Sequence, residues 1–151
     1  VLPSGAPMPS FEGATRWLHG EPTPAALRGA PVVVQFWAVS CSLCKDNLPT
    51  LRAWKDRYGP RGVRFVSVHM PRQESDTRVD RVEAVVTESG MDEPVAIDNA
   101  HAIGDRFQTG GLWPAYFLFD GEGKLRARAA GAAGLSHLER ALAQLTGEEG
   151  G

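Results

Sequence analysis

Apolar positions along this chain alternate between two rhythms. Val32-Val33-Val34-Gln35-Phe36-Trp37 is a nearly continuous apolar run, the pattern of a strand covered on both faces. From Ser42 to Tyr58 the period lengthens: Leu48, Leu51, Trp54 and Tyr58 recur at helical steps and form one apolar face. Pro49 lies inside that segment and should kink it, because it removes a helical N–H and crowds the turn before it. Gly59-Pro60 closes it. Val63 to His69 is rich in β-branched and aromatic residues and predicts a second strand. Asp76 to Ser89 predicts a helix on Val79, Val82, Val85 and Val86, ended by Gly90. Val95-Ala96-Ile97 predicts a short strand, Ala102 to Phe107 a short helix, and Ala115 to Phe119 a strand. Asp120-Gly121-Glu122-Gly123 is a turn leading into Leu125 to Ala129, where apolar residues alternate with Arg126 and Arg128. Leu135, Leu138, Leu142 and Leu145 define a last helix. This order predicts an α/β fold, a mixed central sheet flanked by helices.

At 151 residues the chain has the length of one domain, and 42% hydrophobic with 23% charged residues is ordinary globular composition. Val1 to Pro9 is expected to be a flexible arm, and 147–151 a flexible tail. The formal charge of −2 gives no basic field for nucleic acid, and no apolar run reaches the length of a membrane span. The chain starts at Val1 rather than Met, so a secretory leader or a membrane anchor upstream is an expectation.

Chemistry concentrates at the only two cysteines, Cys41 and Cys44. Cys41-Ser42-Leu43-Cys44 sits where a buried strand gives way to a helix. Free N–H groups and the positive end of the helix dipole stabilise a thiolate in a first helical turn. Such a motif can bring a cysteine pKa from about 8.5 to ~3.5–7.5. Lys45 adds positive charge. The two-residue spacing lets the second sulfur reach the first, so the pair can cycle between dithiol and disulfide. Three readings compete. A zinc half-site needs two more ligands, and His19, His69, His101 and His137 offer no close pair. A purely structural disulfide would close a very short loop for little stabilisation. Two inert buried thiols fit poorly beside Ser42 and Lys45. No metal site and no phosphate-binding loop is expected, and no cofactor.

Phe36-Trp37-Ala38-Val39-Ser40-Cys41-Ser42-Leu43-Cys44, followed by Leu48-Pro49, resembles the active-site segment of the TlpA-like thioredoxin family. The closer likeness is to the thioredoxin-like domain of DipZ-type proteins. Val66-Ser67-Val68-His69, Val95-Ala96-Ile97-Asp98-Asn99 and the stretch from Trp113-Pro114 to Gly123 extend it from about Pro31 to Gly131. The resemblance implies a thioredoxin fold and extracytoplasmic thiol–disulfide chemistry in the periplasm or cell envelope. It implies a disulfide-containing protein as substrate, a transmembrane electron donor as a further partner, and a monomer. By position it makes Cys41 the attacking thiolate, Cys44 the resolving thiol and Pro114 a cis-proline facing them. Trp113, Leu43 and Ser42 become the candidate substrate contacts.

Two departures stand out. Thioredoxin carries an Asp at the position of Gln35, and many TlpA-like proteins a Glu at the position of Asn47. Both are amides here, which hydrogen-bond but cannot take a proton. Water, Asp46 or His69 would then receive the proton of Cys44. Two rival functions remain in view. A thiol peroxidase would need a Pro-x-x-x-Thr/Ser-x-x-Cys pattern, which the residues before Cys41 lack. A non-catalytic binding module would use Leu43 and Trp113 as a docking patch.

Overall fold

The structure, a computed structural model, describes residues 1–147. Its centre is a six-stranded sheet in the order β1-β4-β3-β2-β5-β6, built from β1 (Arg16–Leu18), β2 (Val32–Trp37), β3 (Arg64–His69), β4 (Val95–Ile97), β5 (Ala115–Phe119) and β6 (Leu125–Ala130). β2 pairs in parallel with β3, and β3 with β4, while β5 and β6 run antiparallel. The helices are α1 (Ser42–Tyr58), α2 (Val79–Ser89), α3 (Ala102–Phe107) and α4 (Leu135–Leu145). This is the mixed, helix-flanked sheet of a thioredoxin-like fold.

The strand periodicity of two divides the core between the two faces of the sheet. One face carries Val34, Phe36, Val68, Phe117 and Phe119 against Ile103 and Phe107 of α3. The other carries Val33, Tyr116 and Leu118 against Leu51, Trp54 and Tyr58 of α1 and Leu138 and Leu142 of α4. Further along that second face, Trp37, Val95 and Ile97 pack with Val82 and Val86 of α2 and with both cysteines. β2 is central and buried at every position, which is why it reads as an unbroken apolar run.

Three expectations change in detail. The first nine residues form a strap rather than a loose arm. Leu2 is buried in the core, and the N–H groups of Gly5 and Met8 donate to the carbonyls of Leu125 and Gly123. The helix expected from Asp76 is a short 3-10 turn over Glu74–Thr77 followed by α2 from Val79. Asp76 turns its side chain inward there instead of starting the helix. β1 was not expected, because Arg16-Trp17-Leu18 has no alternation; its strand geometry comes from antiparallel pairing with β4. Pro49 lies inside α1 without ending it. The tail beyond Gly147 lies outside the described residues.

α4 covers its end of the core through only two fully buried leucines, Leu138 and Leu142. Leu138→Ala should therefore lower unfolding free energy by about 2–5 kcal/mol. Urea denaturation followed by far-UV circular dichroism measures this. A loss below 1 kcal/mol would mean that α4 is not part of the cooperative core.

Candidate active site

The cysteines lie where the topology sends chain from the centre of the sheet into a long helix. β2 ends at Trp37, and the Cys41 N–H donates back to the Ala38 carbonyl at 3.0 Å, so 38–41 is a tight turn. Cys41 is the N-cap of α1, and its Sγ accepts the Cys44 N–H at 3.1 Å. A helix-terminal donor that would otherwise lack a partner is thus aimed at the sulfur. Cys41 and Cys44 are joined by a disulfide, with Cα atoms 5.3 Å apart. Both residues are only 3% exposed. Half-buried Leu43 and Trp113 pack on the cluster that contains them, and Ser42 is exposed at the start of the helix.

The Trp113–Pro114 bond is cis, as the resemblance implies. The β2–β5 register pairs Ala115 with Phe36, which sets Pro114 across from the end of β2, at the cysteine end of the sheet. The Trp113 indole N–H donates to the Met70 carbonyl at 2.6 Å. Met70, just past β3, gives its own N–H to the Trp37 carbonyl at 2.9 Å. The residue before Pro114 and the end of β2 are therefore held by the same residue.

Beneath α1, the sheet carries a polar row inside an apolar layer. Register places Ser67, Gln35 and Tyr116 side by side. Gln35 Nε2 donates to Ser67 Oγ at 2.7 Å, and the Ser67 hydroxyl donates to the buried Glu93 carboxylate. Lys55 of α1 closes the row with a 2.7 Å ion pair to Glu93. Burial pushes the Glu93 carboxyl up, but the Lys55 and Ser67 contacts outweigh it and hold the group below the usual range. Asn47 Nδ2 donates to the Tyr116 hydroxyl at 2.9 Å. Burial pushes that phenol up to about 12 despite this bond, so it stays neutral at working pH.

Behind the cysteines, His69 is fully buried and stands edge-on to Trp37, ring centres 4.8 Å apart. Its Nε2 accepts the Val39 N–H at 3.1 Å, so that lone pair is committed and the ring is neutral. Burial lowers its pKa to about 4, against the pull of the Asp76 charge. His69 is thus no free base for Cys44, and Asp46 is exposed on the outside of α1.

Asp76, Arg72 and Glu93 are site residues that pattern reading missed. Their signal was faint: a Gln73-x-x-Asp76 capping pattern, and polar Gln35 and Ser67 inside apolar strands needing a buried partner. Among the described residues no three His, Cys, Asp or Glu side chains converge to hold a metal ion.

A redox-capable Cys-x-x-Cys at a helix N-terminus, opposite a cis-proline on a thioredoxin-like sheet, defines the class. The chain belongs to the AhpC/TSA family, whose sequence model matches residues 4–128. It is 36% identical over 143 residues to thiol-disulfide oxidoreductase YkuV of Bacillus subtilis, covering 94% of this chain and 95% of that protein. It is 30% identical over 132 residues to protein DipZ of Mycobacterium tuberculosis, covering 83% of this chain but 18% of DipZ. A solved thioredoxin-like protein in its oxidised form superposes with a TM-score of 0.85 at 35% identity, covering 95% of this chain and 97% of that one. The chain is accordingly a TlpA-like thiol–disulfide oxidoreductase.

The His69 geometry sets a pH dependence. The folded chain refuses a proton until about pH 4, whereas an unfolded histidine accepts one near 6.5. The unfolded state therefore binds more protons between these values, and stability falls as pH falls through that window. Between pH 7.5 and 5 the loss should be about 2 kcal/mol. Urea midpoints at both values should show it, with a smaller drop for His69→Gln. An equal drop in that variant would remove His69 as the cause.

Proposed function

We propose that this protein reduces disulfides of partner proteins outside the cytoplasm through a Cys41–Cys44 dithiol/disulfide cycle. The observation that carries the reading is the Cys41–Cys44 disulfide seated on the first turn of α1, with the Cys44 N–H aimed at the Cys41 sulfur. In the reduced protein, the Cys41 thiolate attacks one sulfur of a partner disulfide. A mixed disulfide forms and the other partner sulfur leaves as a thiolate. Cys44 gives its proton to water and attacks the Cys41 sulfur, releasing the second partner thiolate. The protein ends as the disulfide, and the partner has gained two electrons.

Water is the acceptor in this reading because the buried polar groups beneath and behind the cysteines are committed to other partners. The Gln35 and Asn47 amides are bonded to Ser67 and Tyr116, Glu93 is paired with Lys55, and His69 holds the Val39 N–H. Pro114, with the Trp113 backbone before it, receives an extended partner segment, while Leu43, Ser42 and the Trp113 ring contact its side chains. As the sequence resemblance to DipZ-type proteins implies, the setting is extracytoplasmic and the electron donor membrane-embedded, and in this reading the domain acts as a monomer. Among the described residues no helix is long and apolar enough to cross a membrane.

The test is mutational. Cys44→Ser should accumulate a mixed disulfide with a disulfide-bonded substrate, visible as a mass adduct on Cys41. Cys41→Ser should lose reductase activity by at least a hundredfold. Normal turnover by Cys44→Ser would sink the assignment of roles. The reduction potential tests direction: a reductant should titrate near −270 mV or below on the ~−270 to −120 mV scale between thioredoxin and a strong oxidant.

A further inference from the structure

A second group of buried polar atoms lies on the far side of the 38–41 turn, and the reaction above does not use it. Asp76 is 1% exposed. Its Oδ2 accepts the Ser40 hydroxyl at 2.7 Å and the N–H groups of Arg72 and Gln73 at 3.0 and 3.4 Å. Burial pushes its carboxyl up, but these three donors outweigh that and keep it ionised. Its other oxygen, Oδ1, is buried with no partner, as are Trp37 Nε1 and His69 Nδ1. Arg72 completes the grip, its guanidinium donating to the Ser40 carbonyl at 2.9 Å. Ser40 is the residue before Cys41, and Val39 before it is held by His69.

Capping alone does not account for this arrangement. A cap for the 3-10 turn needs only the Gln73 and Arg72 contacts. The carboxylate also reaches across to the turn that carries the nucleophile, and it is a buried charge. The Arg72 guanidinium, bonded to the Ser40 carbonyl, is exposed and therefore screened by solvent and salt. His69, which holds the neighbouring Val39, is neutral.

We infer that Asp76 is a positioning residue for the redox step: through Ser40 it fixes the turn that presents Cys41, and its buried charge favours the disulfide. The inference rests on the dithiol/disulfide reading. Reducing the pair adds two electrons from the dithiol reductant and one proton from water, and leaves Cys41 as a thiolate and Cys44 as a protonated thiol. A fixed anion behind Cys41 costs that thiolate energy and leaves the neutral disulfide untouched. The pair is thereby made a stronger reductant. The two effects are separable, because Ser40→Ala removes the tether and keeps the charge, whereas Asp76→Asn removes the charge.

The experiment equilibrates the wild type, Ser40→Ala, Asp76→Asn and the double variant with a dithiothreitol series at pH 7. Alkylation of free thiols gives the oxidised fraction, and the rate of reaction with a small aromatic disulfide is measured alongside. The expected result for Asp76→Asn is a shift of the equilibrium toward the dithiol of about tenfold, or about 30 mV. Ser40→Ala should stay within twofold of wild type in equilibrium but react several-fold more slowly. The double variant should combine the two effects, with the equilibrium of Asp76→Asn and a rate no faster than that of Ser40→Ala. Wild-type equilibrium and rate in Asp76→Asn would overturn the inference, even if its melting temperature fell. Should Asp76→Asn not fold, an unchanged rate in Ser40→Ala would overturn it alone. A wild type that fails to exchange with dithiothreitol would instead defeat the dithiol/disulfide reading itself.

Discussion

Both halves of the site hang on one short stretch, from the end of β3 at His69 to Asp76. His69 takes the Val39 N–H, Met70 bonds to the end of β2, and Asp76 and Arg72 grip Ser40. The same stretch is held from the other side. Trp113 donates to Met70, and His101 Nε2 lies 2.8 Å from the Pro71 carbonyl. The cysteine turn and the cis-proline loop are far apart in sequence and never pair as strands. Their separation is set by the β2–β5 register between them and by the bonds of each to this bracket. A reaction between two sulfurs and a partner disulfide needs such fixed spacing, since small displacements from in-line geometry are costly in rate.

Much of this was legible in the residues, for a physical reason. Where burial sets the pattern, pattern returns the element: β2 as a continuous apolar run, α1 as a stripe ending on Tyr58, β5 as Ala115 to Phe119. The Cys-x-x-Cys at a strand-to-helix junction was visible in the same way. What escaped was structure made by pairing or by buried polar groups. β1 is three residues long and owes its shape to β4. The strap over residues 1–9 looks featureless because most of its hydrogen bonds go to Gly123 and to Leu125 at the start of β6, far away in sequence. Asp76 reads as the first residue of a helix, since an acidic residue there favours the dipole, yet its carboxylate serves the cysteine turn instead. The bracket's contacts lie in three other segments, at the cysteine turn, His101 and Trp113, and no local window contains them.

The amides at Gln35 and Asn47 take on a clearer meaning once the polar row is seen whole. A carboxylate buried beneath α1 would need its own cation. The chain does bury one, Glu93, but places it beside Lys55, where the pair is neutral overall. Gln35 and Ser67 satisfy its remaining lone pairs, and Asn47 satisfies the Tyr116 hydroxyl. Breaking a buried pair of this kind is costly because it strands a charge in a poor solvent, so the row resists changes of ionisation. Its role is to lock α1 onto the sheet, not to exchange protons with Cys44.

That leaves an asymmetry about the disulfide. On the α1 side Lys55 offsets Glu93, and the helix N-terminus favours a thiolate. On the β3 side Asp76 is buried and ionised, with a neutral His69 as its inner neighbour. The redox balance of the pair is then a contest between a helix terminus that stabilises the reduced form and a carboxylate that opposes it. Cys-x-x-Cys redox proteins span about −270 to −120 mV, and charges set behind the turn are one contribution to where a pair falls on that range. In this chain those charges sit on the bracket, so the element that positions Cys41 also sets the field around it.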